Sequence, residues 1–131
     1  MLIPTTRYAD ADAALAFLQA AFGFVEHAVF RDHAGQVQHA ELRLGDGWFM
    51  LGPEAETPFA RYMVSPRETG GRETVAIYAV VSDLAAHHAR AEAAGAEIVR
   101  APVAQSYGGS DYIARDPGGH VWTFGDYDPR R

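Results

Sequence analysis

His39 and Glu41 stand two residues apart in the segment HAELRL, which alternates apolar and polar as a strand does, so both side chains fall on one face. A histidine beside a carboxylate is an acid–base pair or a partial set of metal donors. It is also the kind of hydrogen-bonded polar pair that lines a binding cavity or a dimer seam. Trp48, Tyr78 and Tyr112 offer π faces to a planar or cationic ligand, each worth about 0.5–1.5 kcal/mol beyond the area it buries. Arg7 is a candidate for holding an anionic group. With no cysteine in the chain, thiolate nucleophiles and zinc–thiolate clusters are excluded. No Ser-His-Asp signature, P-loop or dinucleotide fingerprint is present. His87 and His88 are adjacent on a helical stretch, about 100° apart, and cannot converge on one ion; they read as surface or edge residues. His27, His33 and His120 have no partner evident in the sequence, and His120 reads as serving the conformation of its turn.

These side chains need a scaffold, and 131 residues with 48% apolar and 21% charged side chains suffice for one globular domain that requires no covalent staple. Seventeen acidic residues against eleven basic ones give a net charge of −6, which opposes nucleic-acid phosphates and anionic lipid surfaces as partners. The apolar runs are far shorter than the ~20 residues of a membrane span, and Pro4 and Arg7 interrupt any apolar leader, so a cytoplasmic location is expected.

Helical periodicity runs over 10–22, with Asp10 as N-cap and Gly23 as the left-handed stop. Strand patterns cover 2–8, 24–31, 36–44 and 48–51, with turn chemistry at 32–35 and 45–47. The order then repeats: a strand over 74–81, a helix capped by Ser82 or Asp83 and ended by Gly95, then strands over 96–101, 110–115 and 121–124. At an offset of 73, Asp10 falls on Asp83, Gly45 on Gly118, Phe49 on Trp122 and Gly52 on Gly125. The fold class is therefore α+β, built from two tandem βαβββ modules; a curved mixed sheet around a cleft, with helices on the convex face, is what the family resemblance given below implies for them. The expected division is a first module over 1–52, a linker over 53–73 and a second module over 74–127. A linker of that length without periodicity is a functional cover or a mobile tether.

This pattern resembles the vicinal oxygen chelate superfamily, which includes the glyoxalase, bleomycin-resistance and extradiol-dioxygenase proteins. The residues that carry the likeness are YADADAALAFLQAAFG at 8–23, HAELRL at 39–44, the equivalent helical segment at 80–95 and the terminal DPGGHVWTFG at 116–125. In metal-dependent members each module supplies one ligand from its first strand and one from its last. Carried onto this sequence residue by residue, those four positions are Ile3, Met50, Ala76 and Thr123. Only Thr123 has an oxygen, a neutral one, whereas a divalent cation needs several carboxylate or imidazole donors. Neighbours one residue away are no better. The resemblance therefore implies a member without metal and without a cofactor.

Strand parity assigns Phe49, Leu51, Ile77, Ala79, Trp122 and Phe124 to the helix-packing face. Thr5, Arg7, His39, Glu41, Trp48, Met50, Tyr78, Tyr112 and Thr123 fall on the other. The second set, with Tyr107 and the 59–63 stretch at its mouth, is the expected ligand site: aromatic walls with a few converging polar groups. The leading expectation is a metal-free, bleomycin-resistance-like homodimer that sequesters an aromatic or amphipathic small molecule such as an antibiotic. The alternative is a glyoxalase- or dioxygenase-type metalloenzyme whose displaced ligands include His39 and Glu41. A third is an interaction module with a closed cavity.

Overall fold

Asp10 and Asp83 start the two helices identically: each carboxylate accepts the backbone N–H three residues on, Ala13 and Ala86, both at 3.0 Å. A computed structural model describes all of Met1–Arg131. The elements in chain order are β1 (Thr5–Tyr8), α1 (Ala11–Phe22), β2 (Val25–Arg31), β3 (Val37–Leu44) and β4 (Gly47–Pro53). After two short 3-10 turns, Pro58–Tyr62 and Pro66–Glu68, follow β5 (Ile77–Val80), α2 (Leu84–Ala93), β6 (Glu97–Ala104), β7 (Ser110–Arg115) and β8 (Val121–Gly125). Gly23 ends α1 at φ 79°, where a side chain would be strained.

The strands form two four-stranded sheets, ordered β1-β4-β3-β2 and β5-β8-β7-β6. In each, only the first strand pairs in parallel, β1 with β4 and β5 with β8. This is the tandem βαβββ arrangement, in which the helix carries the chain to the far edge of the sheet and an antiparallel meander then brings the last strand back beside the first. The fifth strand is shorter than the expected 74–81, because its partner β8 begins at Val121 and pairs Trp122 with Ile77.

Apolar side chains on the helix-bearing faces of both sheets merge into one core of 20 buried residues. Trp122 of the second sheet lies against Phe49, Phe24 and Phe22 of the first half, with ring centroids 4.9, 5.4 and 5.8 Å away. The opposite faces of the two sheets consequently point away from the shared core. The helices also join directly. Arg90 on α2 donates to the carbonyls of Ala20 and Gln19 at 2.9 and 2.8 Å, capping the last turn of α1, which has no basic residue of its own.

His87 corrects a sequence expectation. It is half-buried rather than superficial, with its ring 4.3 Å from that of Phe124. Its Nε2 donates to the Phe22 carbonyl at 2.8 Å, which leaves Nδ1 to accept from the Tyr112 hydroxyl at 2.7 Å. Burial, with Arg90 nearby, holds this imidazole below its ordinary pKa, although the bond to Phe22 opposes the shift.

Candidate functional site

The open face of the first sheet is fixed by register. Met50 on β4 sits between Thr5 on β1 and Glu41 on β3, and Trp48 sits opposite Arg43. Beyond β3, the β2 residue Phe30 lies opposite His39. Thr5, Arg7, His39, Glu41, Trp48 and Met50 thus share one face, as parity indicated. His39 Nε2 donates to Glu41 Oε2 at 3.1 Å, and both side chains stay partly open to solvent. Two members were missed from sequence. Phe30 places its ring 5.8 Å from His39, and Arg43 lies over Trp48 at 5.7 Å, while His27 meets the Trp48 edge at 4.8 Å. Arg7 is engaged by backbone carbonyls. Its Nε donates to the Pro53 carbonyl at 2.9 Å and its Nη2 to that of Ala55, fastening the start of the linker.

The second sheet brings Tyr78, Thr123 and Ile113 side by side on its open face. The Tyr78 hydroxyl donates to the Tyr127 carbonyl at 3.0 Å, and its ring crosses Gly125, where an added Cβ would come within 2.2 Å of the phenol oxygen. Tyr107 meets Tyr127 edge-on at 5.0 Å and donates to Asp111 at 3.4 Å. Burial pushes the Asp111 carboxyl upward, but hydrogen bonds from Arg100, Gln105 and Tyr107 outweigh it and hold the group below the usual carboxylate range. Tyr112, expected beside these residues, faces the other way. It pairs with Phe124 in the ladder, is fully buried, and spends its hydroxyl on His87. Its neighbours Asp111 and Arg115 take the open face, so Tyr112 and Ala114 must take the core.

The Asp-Pro-Gly-Gly turn turns out to be a junction between the halves. Asp116 is buried; its Oδ2 accepts from Tyr8 Oη at 2.6 Å and Trp122 Nε1 at 3.0 Å, and its Oδ1 from the N–H groups of Gly118 and His120 at 2.9 and 3.0 Å. Burial and the Asp116 charge together push the Tyr8 phenol far above its ordinary pKa. His120 is also buried between the halves, with Nδ1 2.7 Å from Glu73 Oε1 and Nε2 2.9 Å from the Arg7 carbonyl. Proximity of Tyr8 to Asp116 requires the tertiary fold, and no local pattern signals it.

Three cavities flank the seam between the sheets. One of about 320 Å³ lies between Arg7, the linker carboxylates and His120. A second of about 440 Å³ runs under the linker beside Thr5, Ile77 and Trp122. The third, about 380 Å³, lies beneath the C-terminal residues and is walled by Trp48, Phe49, Tyr78 and Trp122. Thr5, Arg7, Trp48 and Tyr78 border these cavities, whereas His39, Glu41, Met50, Tyr107 and Thr123 border none of the three.

The donor set does not fit a divalent cation. Ile3 and Ala76 precede β1 and β5, so on the parallel strands Met50 and Thr123 face Thr5 and Tyr78, and none of the six is a carboxylate or an imidazole. The one carboxylate beside them, Glu41 across from Met50 on β3, is paired with His39. No group of three or more His, Asp or Glu side chains is arranged to hold a metal ion anywhere in the chain.

Residues 4–124 match the sequence model of the Glyoxalase/Bleomycin resistance protein/Dioxygenase superfamily. The chain belongs to this superfamily. It is similar to the uncharacterised protein Mb0911c of Mycobacterium bovis, 33% identical over 116 residues that span 88% of this chain and 76% of that protein. Among solved structures, TioX from Micromonospora sp. ML1 is 32% identical with a TM-score of 0.75, covering 95% of this chain and 94% of its own. The fosfomycin resistance protein FosX from Mesorhizobium loti shares the fold at 14% identity, with a TM-score of 0.67 over 99% of this chain and 93% of its own. No helix in the chain is long and apolar enough to cross a membrane.

Proposed function

We propose that this superfamily member binds a small aromatic or amphipathic molecule without a metal ion, by stacking and hydrogen bonding, and that it sequesters that molecule rather than transforming it. The observation that carries this reading is the residue set at the four ligand positions, Ile3, Met50, Ala76 and Thr123, beside an open sheet face rich in aromatic and polar groups. Trp48, Phe30 and Tyr78 supply flat apolar surface, while the His39–Glu41 pair and Thr123 supply donors and acceptors. An antibiotic is the ligand class we favour, in keeping with the bleomycin-resistance branch of the superfamily name.

The working form in this proposal is a homodimer. Because the helix-bearing faces share one core, the open faces turn away from it and meet within one chain only at an edge, where Trp48 and Tyr78 border the third cavity; a cleft walled by the rest of both faces needs a second copy. The open face of the first sheet would then meet the second-sheet face of its partner, giving two equivalent clefts.

The test is thermal unfolding against a panel of glycopeptide antibiotics and polycyclic aromatic metabolites in the presence of excess EDTA. Binding to the native state raises the melting temperature, by an amount set by ligand concentration over Kd. A shift that survives EDTA supports the proposal; a shift that appears only with added manganese, iron, nickel or zinc favours the metalloenzyme alternative built on His39 and Glu41.

A further inference from the structure

The second and third cavities adjoin, with Pro4, Ile77 and Trp122 bordering both. At the offset of 73, Pro4 maps to Ile77, Thr6 to Ala79, and Phe49 to Trp122. Of these mapped pairs, between the two cavities, Thr6 lines only the one under the linker and Ala79 only the one under the C-terminal residues, where Phe49 joins it. Linker residues Tyr62, Met63, Val64 and Pro66 border the one, and Asp128, Pro129 and Arg130 the other. The two segments are held by different contacts. The linker is held by Arg7, by the Arg67–Glu54 bridge at 2.7 Å and by buried Pro66. The C-terminal tail is held by Tyr78 Oη on the Tyr127 carbonyl and by Arg130, which bridges Asp128 within the tail and Asp46 on the β3–β4 turn, both at 2.9 Å.

We propose that the cavity beneath the C-terminal tail is a binding pocket for an uncharged planar molecule of two or three aromatic rings, and that the tail is its gate. This goes beyond the dimer cleft proposed above, with which it shares Trp48 and Tyr78, since the pocket is complete within one chain. Its volume, about 380 Å³, lies in the range of small-molecule pockets, and its floor and walls are Phe24, Phe49, Trp48, Tyr78 and Trp122. Charge at the rim is balanced. Asp46 and Asp128 are matched by Arg130 and by Arg131, which lies 3.5 Å from Asp128. The guanidinium of Arg130 pulls the Asp128 carboxyl down to about 2 and Asp46 below the usual range, so both stay ionised and paired. A ligand of either sign finds no unpaired countercharge there, and would give up its hydration to enter an apolar space. The Arg130–Asp46 bridge that closes the rim is largely solvent-exposed on both sides, so it is weak and screened by salt.

The chain has two tryptophans, Trp48 and Trp122, and both line this cavity, which supplies the readout. Energy transfer from tryptophan to N-phenyl-1-naphthylamine would be titrated on the full chain, alongside 1-anilinonaphthalene-8-sulfonate, which carries the same rings plus a sulfonate. The expected result is saturable binding of one neutral probe per chain, with the sulfonate analogue weaker by about tenfold or more because its charge must be desolvated. Ala79→Phe, which fills the cavity, should abolish binding. Arg130→Ala should leave the chain folded and raise both association and dissociation rates several-fold, with the dissociation constant changed by less than about threefold, as for a gate. Met50→Arg, which blocks the open sheet face instead, should leave the probe bound, separating this pocket from the dimer cleft. Absence of saturable transfer to the neutral probe would overturn the proposal. So would equal affinity for both probes, binding unchanged in a folded Ala79→Phe variant, rates unchanged in Arg130→Ala, or loss of binding in Met50→Arg.

Discussion

Asp116 shows how much one side chain can hold together. Four donors converge on its two oxygens, two of them from residues far apart in sequence, Tyr8 and Trp122. Gly118 is fixed by the same arrangement, since an added Cβ would come within 2.5 Å of the Tyr8 ring. Asp116→Ala would strand these buried donors and should lower unfolding free energy by about 3–5 kcal/mol, whereas Tyr8→Phe removes one charge-assisted bond and should cost about 1.5–3 kcal/mol. Urea denaturation of the two variants checks the order; equal effects would mean that the backbone donors contribute nothing. The sequence made the turn recognisable as a motif, yet its role as a tie between halves could not be read there. Tyr112 is a different case. Asp111 and Arg115 already marked the open face by their polarity, so the alternation of β7 held the correct assignment of Tyr112 to the core.

At the scale of elements, caps and glycine stops were legible because they are local: Asp10, Asp83 and Gly23 act within one turn of the residues they serve. The helix–helix junction was also written in the pattern of α2. Leu84, His87, His88 and Ala91 recur at helical spacing, and Leu84 and Ala91 are buried, so the histidines between them had to face inward. His87 consequently couples this junction to pH. Its folded pKa lies below the unfolded value of about 6.5, so below that pH the unfolded chain binds a proton that the native chain resists. Stability should fall as pH drops from 6.5 toward 5, before the carboxylates titrate, and His87→Phe should flatten that part of the profile. Melting temperatures of both proteins across this range provide the check, and parallel profiles would remove His87 as the source.

For the molecule as a whole, the tandem βαβββ order was legible because the two halves repeat turns and strand cores at a fixed offset, and Phe49 and Trp122 do meet in one core. How the halves face each other was not legible, since the same modules can pack by their helices or by their open faces. Here the helix-bearing faces meet, which leaves Phe30, Val25, Tyr78 and Val99 exposed on strands. Apolar exposure of that extent is characteristic of an interface. The chain should therefore sediment at twice its 14.2 kDa mass, and Met50→Arg on the open face should shift it to monomer. A monomeric wild-type chain with undiminished ligand affinity would contradict the two-chain cleft.

The proposed recognition without a cation depends on Ile3, Met50, Ala76 and Thr123 occupying the places where donors would be needed. The most direct measurement is the metal content of untagged, ligand-saturated protein by inductively coupled plasma mass spectrometry, combined with ligand titration before and after EDTA treatment. Metal-free binding predicts far less than one transition-metal ion per chain and the same dissociation constant in both titrations. One bound ion per chain, lost with EDTA together with ligand affinity and restored with it, would contradict the proposal.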